Sequence, residues 1–112
     1  MSEKILTVTS ENFEEEVLES ALPVLVDFWA PWCVYCRRIE AAVEGLAEDT
    51  EGKLVVGKVN VDEQAALADQ FGVETIPSLI LFRNGERIGE DLVAPGSRDA
   101  IEEWLEDNEI AL

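Results

Sequence analysis

The succession of apolar runs and helical patterns predicts an α/β sandwich, a mixed five-stranded sheet with helices on both faces. Three observations carry this expectation. Val24 to Trp29 is a nearly continuous run of strand-forming residues, as expected for a central strand covered on both sides. The first three strand patterns alternate with helical ones, which calls for parallel crossovers. Asn84-Gly85 then joins two further strands as a tight hairpin, adding antiparallel pairs to the sheet.

Taken in order, Ile5 to Thr9 reads as a short first strand. Asn12 with Glu15 three residues on has the form of a helix capping box, followed by an apolar face of Phe13, Val17 and Leu18. Pro23 closes that region before the central strand, which contains Asp27. Cys33 to about Asp49 is helical, with Ile39, Val43, Leu46 and Ala47 at helical spacing. Leu54 to Val61 is a second buried strand, and Asp62 is placed to cap a helix carrying Leu67 and Phe71 that stops at Gly72. Ser78 to Arg83 and Arg87 to Val93 form the hairpin, where Leu81 and Phe82 read as sheet packing. Ser97 caps a last helix in which Ile101, Trp104 and Leu105 share one face.

The 112 residues form one expected domain, 1–112, with no repeat, linker or low-complexity tract. At 47% hydrophobic residues the chain can bury a core despite its charge. Eight basic against 25 acidic residues give a net charge of -17, which argues against nucleic acid or an anionic membrane as partner. That acidity selects basic partners or serves as a highly solvated surface. Met1 to Lys4 lacks the basic start of a secretory signal, and Pro23, Asp27 and Pro31 interrupt the longest apolar stretch well short of a bilayer span. A cytoplasmic, monomeric protein is expected.

Chemistry concentrates at Cys33-Val34-Tyr35-Cys36, the only two cysteines, in a chain without histidine. Structural zinc needs further ligands, c-type haem needs His where Arg37 stands, and a cysteine protease needs a His base. A metal or cluster shared between two chains remains formally open, although no metal site is expected. As a staple, a disulfide closing a loop of about four residues removes only about 2 kcal/mol of unfolded-chain entropy. Two reduced cysteines acting as small hydrophobes fit poorly with a Trp-Cys-x-x-Cys loop that opens a helix. Redox cycling fits best: free backbone N–H groups and the helix dipole favour thiolate at Cys33, and Arg37 can lean back toward it. Cys36, three residues on, resolves the mixed disulfide intramolecularly.

The stretch VLVDFWAPWCVYCR at Val24 to Arg37 resembles thioredoxins, and the likeness continues through Val56 to Asp62, Ile76-Pro77-Ser78-Leu79 and Asn84-Gly85. It spans nearly the whole chain. The resemblance implies a thioredoxin-like fold and a protein-disulfide reductase without a bound cofactor, recharged by a flavin-dependent thioredoxin reductase. It further implies that Asp27 is a buried proton acceptor for Cys36, that Lys58 is its charge partner, and that Trp32, Val34, Tyr35, Ile76, a cis Pro77, Val93 and Ala94 form the substrate face. Trp29 reads as packing rather than contact, and Trp104 as core.

Three departures from the family pattern stand out. Val34-Tyr35 replaces the usual Gly-Pro between the cysteines, and a Tyr before the second Cys resembles glutaredoxins. A potential less reducing than the about -270 mV of thioredoxin is therefore expected, toward about -200 to -230 mV. Ala41 stands where the family often has a kinking Pro, so this helix is expected to be straighter. Val93 replaces a small Gly and narrows access to the groove. Two other functions use the same frame: a disulfide oxidase or isomerase, differing in potential and partner, and a redox-independent adaptor or chaperone. An adaptor has no need of a carboxylate and Lys58 beneath Cys36.

Overall fold

The computed structural model describes residues 5–112; Met1 to Lys4, on which the reading of the N-terminus rests, lie outside the described residues. Five strands form one sheet: β1 Ile5–Thr7, β2 Val24–Trp29, β3 Val55–Asn60, β4 Ser78–Arg83 and β5 Glu86–Val93. Their order is β1-β3-β2-β4-β5, with β1, β3 and β2 parallel and β4 and β5 antiparallel. The helices are α1 Val34–Asp49, α2 Ala65–Gln70 and α3 Arg98–Asp107. Among the described residues no helix is long and apolar enough to cross a membrane.

Alternation along the strands builds two cores. Leu25, Val56, Leu79 and Leu81 face α1 and α3, meeting Ile39, Val43, Leu46, Ile101 and Leu105. Val24, Val26, Phe28, Val59, Ile80 and Phe82 face the other way, meeting Phe13, Val17, Leu67 and Ala68. On this second side Phe13, Phe71 and Phe82 pack with ring centroids 5.1–5.4 Å apart. β2 is buried by both cores, as its apolar run requires.

The hairpin forms as expected: Asn84 (φ 55°) and Gly85 (φ 80°) adopt the left-handed conformations that a two-residue turn of this type demands. Beyond it, β5 bulges, because Ile88 pairs with Leu81 and Leu92 with Leu79, so four residues of β5 span two of β4. Gly89 sits at the bulge with φ 65°, where a Cβ would collide with the Asn108 side chain. Trp104 of α3 is only partly buried and donates its indole N–H to the Glu90 carbonyl at 2.8 Å, tying the last helix to the bulge.

Two capping expectations are corrected. Residues Glu14–Leu18 form a five-residue π-helical turn with no side-chain cap. The Asn12 amide instead closes a local loop, its Oδ1 accepting from the Thr9 N–H (2.8 Å) and its Nδ2 donating to the Thr7 carbonyl (2.9 Å). Nor does Asp62 cap α2, whose N-cap is Gln64, again without a side-chain bond. Ser97 does cap α3, accepting from the Ala100 N–H at 3.2 Å. With Ala41 in place of Pro, α1 runs uninterrupted for 16 residues.

Candidate active site

β2 ends at Trp29, and a short loop carries the chain to Cys33, which is the extended N-cap residue of α1. Cys33 and Cys36 are joined as a disulfide with Cα atoms 5.2 Å apart. The Cys33 sulfur accepts from the Cys36 backbone N–H at 3.1 Å, so a free amide of the helix start points at it. Among the described residues no hydrogen bond or ion pair brings the Arg37 side chain to Cys33; Arg38 instead stacks over the Tyr35 ring at 5.3 Å.

Cys33 and Cys36 are each 5% exposed and pack with Ala30, Trp29, Val61 and Ile76. Ile76-Pro77 is a cis peptide, and the Ile76 carbonyl oxygen lies 3.8 Å from the Cys33 sulfur. Among the described residues no backbone hydrogen bond uses the Ile76 N–H, whereas the Pro77 carbonyl accepts from Ala94 N–H at 2.8 Å and Ser78 pairs with Val93. Val93-Ala94 is thereby fixed beside the cis proline, with Ala94 at φ 47°, a left-handed conformation unusual for a residue with a Cβ.

Large apolar side chains are exposed next to this buried disulfide. Trp32, Val34, Tyr35 and Val93 are 48–64% exposed, four of the five exposed large hydrophobic residues among those described. The Trp32 indole is oriented by Asp62, whose Oδ2 accepts its Nε1–H at 2.9 Å.

On the face of β2 that α1 covers, Asp27 is 2% exposed, and its Oδ1 has no hydrogen-bond partner among the described residues. Burial pushes its carboxyl up to about 7, against the pull of the Lys58 ammonium and with a push from the Glu40 carboxylate. Lys58 pairs with Asp27 in the β2–β3 register, but its ammonium sits over the Trp29 ring at 4.5 Å and forms no ion pair with Asp27. A cavity of about 230 Å³ opens on this side of the sheet, lined by Trp29, Lys58, Asn60, Glu40, Glu44 and Glu63 among others. Of the residues singled out from the sequence, Lys58 and Trp29 line this cavity, while Trp32, Val34, Tyr35 and Val93 are exposed apolar side chains. Glu40 and Asp62 were missed; Glu40 stands four residues after Cys36, the spacing that puts two side chains on one helix face.

A disulfide at a helix mouth, rimmed by apolar side chains and backed by a buried carboxylate, defines a thiol–disulfide oxidoreductase. The thioredoxin family model matches residues 4–107. A thioredoxin of Rickettsia bellii is 43% identical over 101 residues, 90% of this chain and 95% of its own. Thioredoxin 1 of Nostoc is 48% identical over 81 residues, 72% of this chain and 76% of its own, and thioredoxin 1 of Synechococcus elongatus is 47% identical over the same length. The chain belongs to the thioredoxin family, whose members are protein-disulfide oxidoreductases working through a redox-active disulfide.

Proposed function

We propose that the whole chain works as one thioredoxin domain, a cytoplasmic monomer that reduces protein disulfides and is recharged by a flavin-dependent thioredoxin reductase. The Cys33 thiolate attacks a substrate disulfide, forming a mixed disulfide and releasing one substrate thiolate, which takes up a proton. Cys36 gives its proton to Asp27, attacks the Cys33 sulfur and expels the second substrate thiolate. Two electrons pass to the substrate, Cys33–Cys36 is left oxidised, and the Asp27 proton returns to solvent.

The observation that supports this reading is a buried carboxyl, with Oδ1 unpartnered among the described residues, on the face of the sheet that α1 and its buried Cys36 cover. A thiol sealed from water needs an internal base, and a carboxyl raised to about 7 is matched to that task near neutral pH. Lys58 keeps the carboxylate accessible by its positive charge. Trp32, Val34, Tyr35, Ile76, Pro77, Val93 and Ala94 form the docking face, where the unpaired Ile76 backbone suits an extended substrate strand. No bound cofactor enters the cycle.

Insulin reduction coupled to NADPH and a thioredoxin reductase tests the reading. Wild type is expected to turn over, Cys33→Ser to lose all activity, and Asp27→Asn to lose the acidic limb of the pH–rate profile. Full activity in Cys33→Ser sinks it. Equilibration with a glutathione couple tests the role of Val34-Tyr35: a potential above about -270 mV is expected, and replacement by Gly-Pro is expected to lower it.

A further inference from the structure

We infer that Arg38, held over the exposed ring of Tyr35, receives a carboxylate beside the disulfide of an incoming polypeptide, so that the chain favours guests whose reacting cysteine is flanked by Asp or Glu. The inference rests on the proposed reduction of protein disulfides and names the substrate class of that same site.

Among the described residues the other arginines are engaged within the molecule. Arg83 donates to the Asn108 carbonyl, Arg87 to Asp91, and Arg98 to both Asp49 and Glu102. Arg37 and Arg38, directly after Cys36, make no hydrogen bond or ion pair through their side chains among those residues. For Arg38 the local sequence enforces this. A helical side chain meets those three and four positions away, which here are Val34, Tyr35, Ala41 and Ala42, none of them acidic in a chain with 25 acidic residues. Arg98, in contrast, has Glu102 four residues on and pairs with it.

What Arg38 meets instead is Tyr35, its guanidinium carbon 5.3 Å from the ring centre. The ring holds the guanidinium in place and takes up none of its five N–H donors, whose fork matches a carboxylate. Fixing the side chain beforehand reduces the rotamer entropy lost when a guest arrives. Arg37 has no such ring beneath it among the described residues. The stacked pair also stands at the reacting centre: Tyr35 lies between the two cysteines, exposed together with Trp32 and Val34, and Arg38 is exposed in the first turn of α1. A net charge of -17 repels an acidic segment at long range, and Arg38 supplies the local positive point that admits one.

The test reads the exchange step alone, in full-length Cys36→Ser protein. Two synthetic peptides carry one cysteine each, flanked by Glu in one and by Gln in the other, and blocked as a thiopyridyl disulfide. The Cys33 thiolate attacks the peptide sulfur, a Cys33–peptide S–S bond replaces the one broken, and the released thiopyridone is followed by absorbance. Arg38→Gln is expected to lower the rate on the Glu peptide relative to the Gln peptide about threefold, and the fall to shrink in about 0.5 M salt. Tyr35→Leu, which removes the ring, is expected to lower the same ratio about twofold, and Tyr35→Phe to keep it. Lys53→Gln removes an equal charge beyond the far end of α1 and is expected to leave the ratio where it was. A ratio unmoved by Arg38→Gln or by Tyr35→Leu, or a fall of equal size in Lys53→Gln, overturns the inference. Failure of the otherwise unaltered chain to reduce insulin, with the peptide ratio still falling in Arg38→Gln, sinks the reductase reading instead.

Discussion

The two faces of the sheet are made by the same strands and do different work. Along β2, Val24, Val26 and Phe28 enter a core built around aromatic rings, while Leu25 and Asp27 face α1 and α3 on the other side. Both faces are equally sealed: Phe28 is 0% and Asp27 2% exposed. One face converts burial into stability, roughly 2–3 kcal/mol for a large apolar side chain. The other spends burial on a carboxyl whose charge water cannot solvate, giving up stability to keep a proton within the fold.

Substitutions on either face can break this contrast. The largest effect is expected from Phe82→Ala, which opens a hole among Phe13, Phe71 and Phe82; urea unfolding is expected to show a loss of about 3–5 kcal/mol, the same at pH 5 and pH 8. On the opposite face the sign reverses and pH matters. Folding raises Asp27 from 3.8 to about 7, so its contribution to stability is fully present below pH 3.8 and is lost as pH rises through 7. Above that pH the buried charge costs up to about 4 kcal/mol. Asp27→Asn is therefore expected to be more stable than wild type by about 2–4 kcal/mol at pH 8, and within about 1 kcal/mol of it at pH 4. Equal stabilities at pH 8 would mean that the two faces are energetically alike. The smallest effect belongs to a residue on neither core: Ala94→Gly relieves a left-handed alanine at φ 47°. After the entropy glycine adds to the unfolded chain, a gain of about 0.5 kcal/mol in urea unfolding is expected, independent of pH.

The fold was legible because its strongest signals are local. The apolar run at Val24 to Trp29 demands burial on both sides, and Asn84-Gly85 permits a turn that few other pairs allow. The disulfide at the start of α1 follows equally from two cysteines three apart and no histidine. What stayed hidden depends on which partner a polar group finds in space. Asn12 and Asp62 both had the spacing of caps, yet one amide folded back onto Thr9 and one carboxylate took the indole of Trp32, thirty residues away. Spacing limits what is within reach but does not choose among donors. Glu40 escaped notice because an exposed acid on a helix looks like any other until the fold brings it and Lys58 onto the lining of one cavity. The bulge at Gly89 was equally invisible, since the strand pattern shows alternation but not where the pairing slips.

That bulge has a bearing on how copies of the molecule treat one another. β5 is an outer strand of eight residues, long enough to template further strand addition and so to seed fibrils or swapped dimers. Its ladder is bent at Gly89, the Glu90 carbonyl is already taken by the Trp104 indole, and Glu86, Arg87, Glu90 and Asp91 stud the rim with charge. A flat, continuous border is thereby denied to an incoming chain on this side of the sheet.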